Sequence, residues 1–174
     1  MIYLKKANME DSKKEYEAVI SIPEEENGFH NGDYNVTYEE FVNVVLPRMI
    51  ASSNGVPSKP GYVPDTTYFL WDDDTIVGMY RIRHYLNEFL RKEGGHVGAC
   101  ILKQYRGKGY GSKGLELIVK ECESVIQEDE IYMSCFKDNV ASLKMQQKNG
   151  AYITGENDTH YLTRIKIREK EKRM

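Results

Sequence analysis

The chain has 174 residues, 40% of them hydrophobic, which suits one core and one domain over 1–174. A net charge of −3 argues against nonspecific nucleic-acid binding, which needs a basic surface to displace counterions. Cys100, Cys122 and Cys135 form an odd count with no CxxC pair, no apolar run reaches the roughly 18 residues of a membrane span, and MIYLKKANMEDSKKEY lacks the apolar centre of a signal peptide, so a cytoplasmic protein is expected, with no metal site, disulfide framework, membrane or nucleic-acid partner.

IYLKKA reads as a first strand, and EDSKKEYEAVI follows with apolar residues at helical spacing. Thr37 and Glu40 have capping-box spacing, so TYEEFVNVVLPRMIA opens as a helix, which Pro47 should end or kink. SSNGVPSKPGYVP is a loop, either a substrate-side loop or a plain surface connection. TTYFLW and IVGMYRIRHYL flank the polar turn DDDT as a hairpin. A short helical piece, NEFLRKE, ends at Gly94 and Gly95, and GHVGACIL is a further strand. GYGSKGLELIVKECESVI is an amphipathic helix with Leu115, Ile118, Val119 and Cys122 on one face. EIYMSCF is a strand, DNVASLKMQQKNG a helix stopped by Gly150, and AYITGE with THYLTRIKI a closing hairpin. The order is mixed α/β with adjacent strands, so a purely parallel sheet is not expected.

The stretch RGKGYGSKG, Arg106 to Gly114, lies between a strand and a helix and holds four glycines and three cations. Glycines there let backbone N–H groups converge on an anion, and the helix dipole strengthens the hold, with phosphate the obvious guest. Gly109, Gly111 and Gly114 fit the dinucleotide pattern GxGxxG. Against a dinucleotide-dependent oxidoreductase, Asp129 and Glu130 precede the strand at whose end the ribose-binding acid should stand. A P-loop cannot be placed on these glycines.

In another register, Arg106, Gly109 and Gly111 fit [QR]xxGx[GA], and NVASLKMQQKNGAY supplies Asn139, Ser142, Lys148 and Gly150 at matching spacing downstream. On these two motifs, spanning roughly Gly95 to Tyr152, the sequence resembles the GNAT superfamily of acyl-CoA-dependent N-acetyltransferases, and within it a bacterial subgroup of predicted acetyltransferases. The resemblance implies a GNAT-like α/β fold, with a central, mostly antiparallel sheet of six or seven strands splayed around the cofactor and flanked by helices. It implies acetyl-CoA as cofactor. Ile101 and Leu102 would bond the pantetheine arm through their main chain, and the amides of Arg106, Gly107, Lys108, Gly109, Tyr110, Gly111 and Ser112 would cradle the pyrophosphate. Arg106 and Lys108 would add charge. Asn139 and Ser142 would meet the arm, although Asn139 can equally cap its helix, and Lys148 would meet outer phosphates unless it is merely an exposed helix lysine.

The chemistry implied is direct attack of a primary amine on the thioester, with acyl-CoA binding without turnover as the alternative. Candidate bases are His96, His84 and Glu88, with a structural, fully bonded histidine the favoured reading of His96. Some members carry a glutamate as base where this chain has Gly95, one residue before His96. Many carry a tyrosine acid seven residues after the asparagine, where this chain has Gln146. Gln146 can still donate to the sulfur. Arg81, Arg83 and Asn87 form a candidate acceptor group suited to a carboxylate, or else are surface residues of a hairpin. The acceptor would be a small-molecule or peptide amine, and the resemblance allows a homodimer.

Overall fold

A computed structural model describes residues 1–168 of the chain; the expected domain runs to residue 174, and 169–174 lie outside the described residues. Strand β1 (Ile2–Lys6) is followed by α1 (Ser12–Ser21), then by two very short strands, β2 (Glu25–Glu26) and β3 (Phe29–His30), which pair as a tight hairpin. Asn27 and Gly28 take positive φ at its tip. That hairpin lies in a stretch where the sequence shows no strand periodicity, being only two residues a side.

Thr37 caps α2 (Tyr38–Glu40) by accepting from Glu40 N, as the capping-box spacing predicts. The chain then continues through a π-helical turn, Phe41–Val45, into α3 (Leu46–Ser53). Pro47, expected to end or kink this helix, does not end it. In the wider turn Leu46 N bonds to Phe41 O, and Pro47 falls at the start of the α-helical portion, a position where a proline is tolerated.

β4 (Asp65–Asp72) and β5 (Thr75–Arg83) form the predicted hairpin, and β6 (Val97–Ile101) adds to β5. The first sheet has the order β1-β4-β5-β6, all antiparallel. After α4 (Tyr110–Val125), β7 (Glu130–Phe136) and α5 (Val140–Lys148), the closing hairpin β8 (Tyr152–Glu156) and β9 (His160–Lys166) folds so that β9 pairs with β7. The second sheet, β7-β9-β8, is also antiparallel.

Two apolar clusters cover the first sheet. On one face Val19 of α1 and Phe41, Val45 and Leu46 pack on Phe69, Trp71 and Met79. On the other, Leu115, Ile118 and Cys122 of α4 pack on Leu70, Tyr80 and Ile82 and reach Ile131 and Ile165 of the second sheet. Each such side chain contributes roughly 1.5–3 kcal/mol on burial. Gly114 lets α4 come this close, since a Cβ there would stand 2.2 Å from the Tyr80 hydroxyl.

Candidate active site

The two sheets meet at one point. His96 N donates to Tyr132 O at 2.7 Å, and beyond it no main-chain bond joins β6 to β7 among the described residues. Gly95 makes the meeting possible, with φ +64 and space so tight that a Cβ would lie 2.2 Å from Tyr132 O. The His96 ring is a strut across the junction. Its Nδ1 accepts from Tyr132 N at 2.9 Å, so the proton sits on Nε2, which donates to Glu128 Oε2 at 2.9 Å. Glu128 Oε1 also takes Leu86 N. Burial lowers the His96 pKa against the opposing pull of Glu128. Burial likewise works against the Glu128 charge, but the bonds from His96 and Leu86 N hold its carboxyl below the ordinary value.

From this junction the strands splay into a cleft of ≈ 590 Å³. Arg83 N donates to His96 O, and Leu102 N to Val77 O. The alternation of an antiparallel ladder then turns the main-chain groups of Gly98 and Cys100 towards β5 and those of Val97, Ala99 and Ile101 into the cleft. Leu102 is corrected on this ground as a main-chain ligand: its N–H is spent on Val77, and its carbonyl accepts from Tyr105 N.

At the far end of β6 lies the turn before α4. Gly107 (φ +76) and Gly109 (φ +84) are left-handed, and a Cβ on either would meet nothing within 4 Å. None of the amides of residues 107–112 has an acceptor among the described residues, and α4 has no side-chain cap. Six neighbouring donors without acceptors at a helix N-terminus have the make-up of an anion-binding turn. Arg106 does not reach into it: Nε donates to Ile101 O at 2.9 Å and NH1 to Glu26 Oε1 at 2.7 Å, fastening the β2–β3 hairpin to the end of β6. The Tyr110 hydroxyl is likewise committed, to Asp72, which leaves its amide for the cradle. Lys108 is exposed, as is Lys148, which does not line the cleft.

Across the gap, Asn139 Oδ1 caps α5 by accepting from Ser142 N at 3.2 Å. Asn139, Ser142 and Gln146 all line the cleft. Gln146 is buried, with Oε1 accepting from Thr163 Oγ1 at 2.5 Å and Nε2 held by 3.4 Å bonds to Ser134 O and Ser142 Oγ.

The other sequence candidates separate. His96, with no exposed surface and both ring nitrogens bonded, has no lone pair to offer an amine. His84 lies outside the cleft lining, bonded to Thr66 Oγ1, with its pKa lowered first by burial. Glu88 is exposed, paired with Lys92. Asn87 caps the following turn through Leu90 N and does not line the cleft, and neither does the loop 54–64. Arg81 and Arg83 do line it.

Sequence reasoning missed the wall opposite them. The β2–β3 hairpin lies over β6, with Phe29 near Gly98 and Gly28 against the Phe136 ring of β7. It brings His30 to the cleft, where His160 also stands, its ring 4.3 Å from that of Phe136. Each of these histidines engages only Nδ1, with Glu25 and Thr159 respectively, and has Nε2 free of partners among the described residues. No sequence pattern pairs residues 30 and 160, because only the tertiary fold brings them together.

Comparison with known proteins agrees with this geometry. A crystal structure of a GNAT-family acetyltransferase from Streptococcus pneumoniae superposes with a TM-score of 0.64 at 20% identity, covering 96% of this chain and 99% of that one. Spermidine N-acetyltransferase from Vibrio cholerae, solved with CoA and spermine, gives 0.62 at 10% identity, covering 95% of each chain. A probable spermine N(1)-acetyltransferase from Bacillus subtilis subsp. natto is 33% identical over 58 residues, a stretch that spans 33% of this chain and only 38% of the relative. The acetyltransferase (GNAT) family model matches residues 33–151, from the hairpin's exit through the cradle to the end of α5, and with well over half of its length so matched the chain belongs to that family.

Proposed function

We propose that the protein transfers an acetyl group from acetyl-CoA to a primary amine. The observation that carries this reading is the run of unpartnered amides at residues 107–112, opening beside the gap between β6 and β7. In this reading those amides hold the pyrophosphate, and the inward main-chain groups of Val97, Ala99 and Ile101 bond the pantetheine arm and polarise the thioester carbonyl. The amine nitrogen bonds to the acetyl carbon, the C–S bond breaks with its electron pair on sulfur, and one proton passes from nitrogen to a base. His30 and His160, with Nε2 free, are the bases proposed in place of His96. Gln146 Nε2, held only by long bonds, is the donor that steadies the sulfur, whose thiol pKa of about 8.5 lets it leave without full protonation.

The test is calorimetric titration with acetyl-CoA, with free coenzyme A and NADH for comparison. A micromolar constant for both CoA species, about −8 kcal/mol, and none for NADH is expected. Binding of neither CoA species would overturn the reading. A second reading, acyl-CoA binding without turnover, is favoured by one observation: the usual acid position holds a glutamine whose amide is bonded at both ends. Release of coenzyme A thiol in the presence of amines separates the two.

A further inference from the structure

Two cations, Arg81 and Arg83, line the cleft without a close ion pair among the described residues. Arg81 NH1 donates to His30 O at 3.0 Å, and Arg83 NH1 to Gly94 O and Gly95 O at 3.2 Å each. Neither guanidinium forms an ion pair among the described residues, in contrast to Arg48 with Asp33 and Arg106 with Glu26. Burial is the main influence lowering the pKa of both, Arg81 adds to it at Arg83, and Asp65 pulls the other way at each, joined by Asp33 at Arg81. Two like charges drawn partly out of water, attracted by Asp65 on the neighbouring strand and, at Arg81, by Asp33, but hydrogen-bonded to neither, would gain from a bound anion.

The free donors of these arginines have somewhere to point. A guanidinium carries five N–H groups, and the protein accepts one from Arg81 and two bonds from Arg83. The only side-chain nitrogen or oxygen that is both buried and unpartnered among the described residues is Trp71 Nε1. The remaining donors therefore reach solvent, and both residues line the cleft. Arg81 pairs in register with Gly98 and Arg83 lies opposite His96, which puts both at the junction end of β6, away from the cradle. The carboxylates lining the cleft are Glu26, which Arg106 already holds, and Glu93, which is exposed.

We infer that the acceptor is a primary amine that also carries a carboxylate, the chemistry of a free amino acid, with Arg81 and Arg83 holding the carboxylate by charge-assisted hydrogen bonds. This rests on the acetyltransferase reading of the same cleft. A polyamine would bring positive charge against both arginines.

The test compares initial rates of coenzyme A thiol release for the standard amino acids, the same compounds as carboxamides, and spermine, beside calorimetry with acetyl-CoA. At least one free amino acid is expected to exceed its carboxamide and spermine by about 10-fold or more in kcat/KM. Arg81→Gln should raise the KM for that amino acid by roughly 10- to 100-fold, leave the acetyl-CoA Kd within about 2-fold, and be partly rescued by Arg81→Lys. Arg83 ties the junction and Arg81 the hairpin, through His30 O, so a loss in Arg81→Gln counts for the carboxylate only where it exceeds the loss for the carboxamide, and the unaltered protein decides the matter even if the variants fold poorly. The inference is overturned if carboxamide or spermine serves as well, if Arg81→Gln leaves the KM unmoved, or if protein that binds acetyl-CoA uses no free amino acid. Failure to bind acetyl-CoA would remove the acetyltransferase reading itself, and this inference with it.

Discussion

In the proposed reading six consecutive amides from one turn hold the cofactor, whereas at the acceptor end Phe29 and His30, Arg81 and Arg83, and His160 arrive from three distant segments. The first arrangement needs only local backbone conformation and space, so most side-chain changes outside Gly107, Gly109 and Gly111 should leave it intact. The second depends on tertiary contacts that hold the β2–β3 hairpin in place: Arg81 to His30 O, Arg106 to Glu26, and Gly28 against Phe136. The two ends of one cleft should therefore fail independently, one in cofactor affinity and the other in acceptor use and rate.

The largest expected effect lies at the acceptor end. Replacing both His30 and His160 by Gln should lower kcat by about 10²- to 10⁴-fold, the usual contribution of a positioned general base. Calorimetry should find the acetyl-CoA Kd unchanged. A loss of affinity equal to the loss of rate would break the division between the two ends.

Next come the glycines. Gly95→Ala drives a Cβ into the Tyr132 carbonyl at a positive φ, and should cost about 3 kcal/mol or more in urea unfolding. Gly107→Ala adds a Cβ to open space, so only the left-handed backbone is strained, by about 1 kcal/mol. That variant should nevertheless bind acetyl-CoA more weakly, because a turn that relaxes away from positive φ turns its amides from the anion. Similar stability losses at the two positions would remove the distinction between a packed junction and an open cradle.

The same contrast decides what the sequence disclosed. The strand, glycine turn and amphipathic helix were readable because local periodicity and glycine spacing are what a main-chain site requires. Asn139 and Gln146, singled out by their spacing in the second motif, both line the cleft. The hairpin over β6 was not readable, because two residues a side show no alternation and its hold comes from Arg106 and Arg81, far along the chain. Arg106 illustrates the limit: its position in the motif was plain, but its partner, Glu26, exists only in the folded chain. Residue type alone does not separate a buried strut from a histidine with a free ring nitrogen, so the sequence allowed His96 to be a base or, by preference, a structural histidine, and gave no sign of His30 and His160.

For His96 the expected effect is on stability rather than rate. His96→Ala leaves Tyr132 N and Glu128 Oε2 without their partner and should cost about 2 kcal/mol. In the unaltered protein the folded-state pKa of His96 is depressed below 6.5, so the unfolded chain binds the proton more readily. The stability this group contributes is present above pH 6.5 and is lost as pH falls through the folded-state value, and urea titrations across that window should flatten in the variant. The pH dependence of kcat in any soluble variant should keep its wild-type inflections. A shifted inflection would return His96 to the proton path.

The smallest effect is the most specific to how the two ends are joined. Arg106 is expected from its motif to add charge near the cofactor's pyrophosphate, but it is bonded to Glu26 and Ile101 O, with Glu26 the first cause of its raised pKa. If the hairpin and the anion compete for the guanidinium, Glu26→Gln frees it and should tighten acetyl-CoA by a few-fold, within the roughly 0.2–1 kcal/mol of a partly exposed ion pair. Arg106→Gln should weaken it, and the double variant should match Arg106→Gln alone, because Glu26 acts on the cofactor only through Arg106. If instead Arg106 serves solely as the hairpin's tether, both single variants leave the acetyl-CoA Kd unmoved and raise the acceptor's KM together, since the wall bearing Phe29 and His30 loosens in each. Titrations of all four proteins at two salt concentrations separate these cases, because screening weakens an Arg106 contact to phosphate far more than it weakens the apolar seating of Phe29 on Gly98.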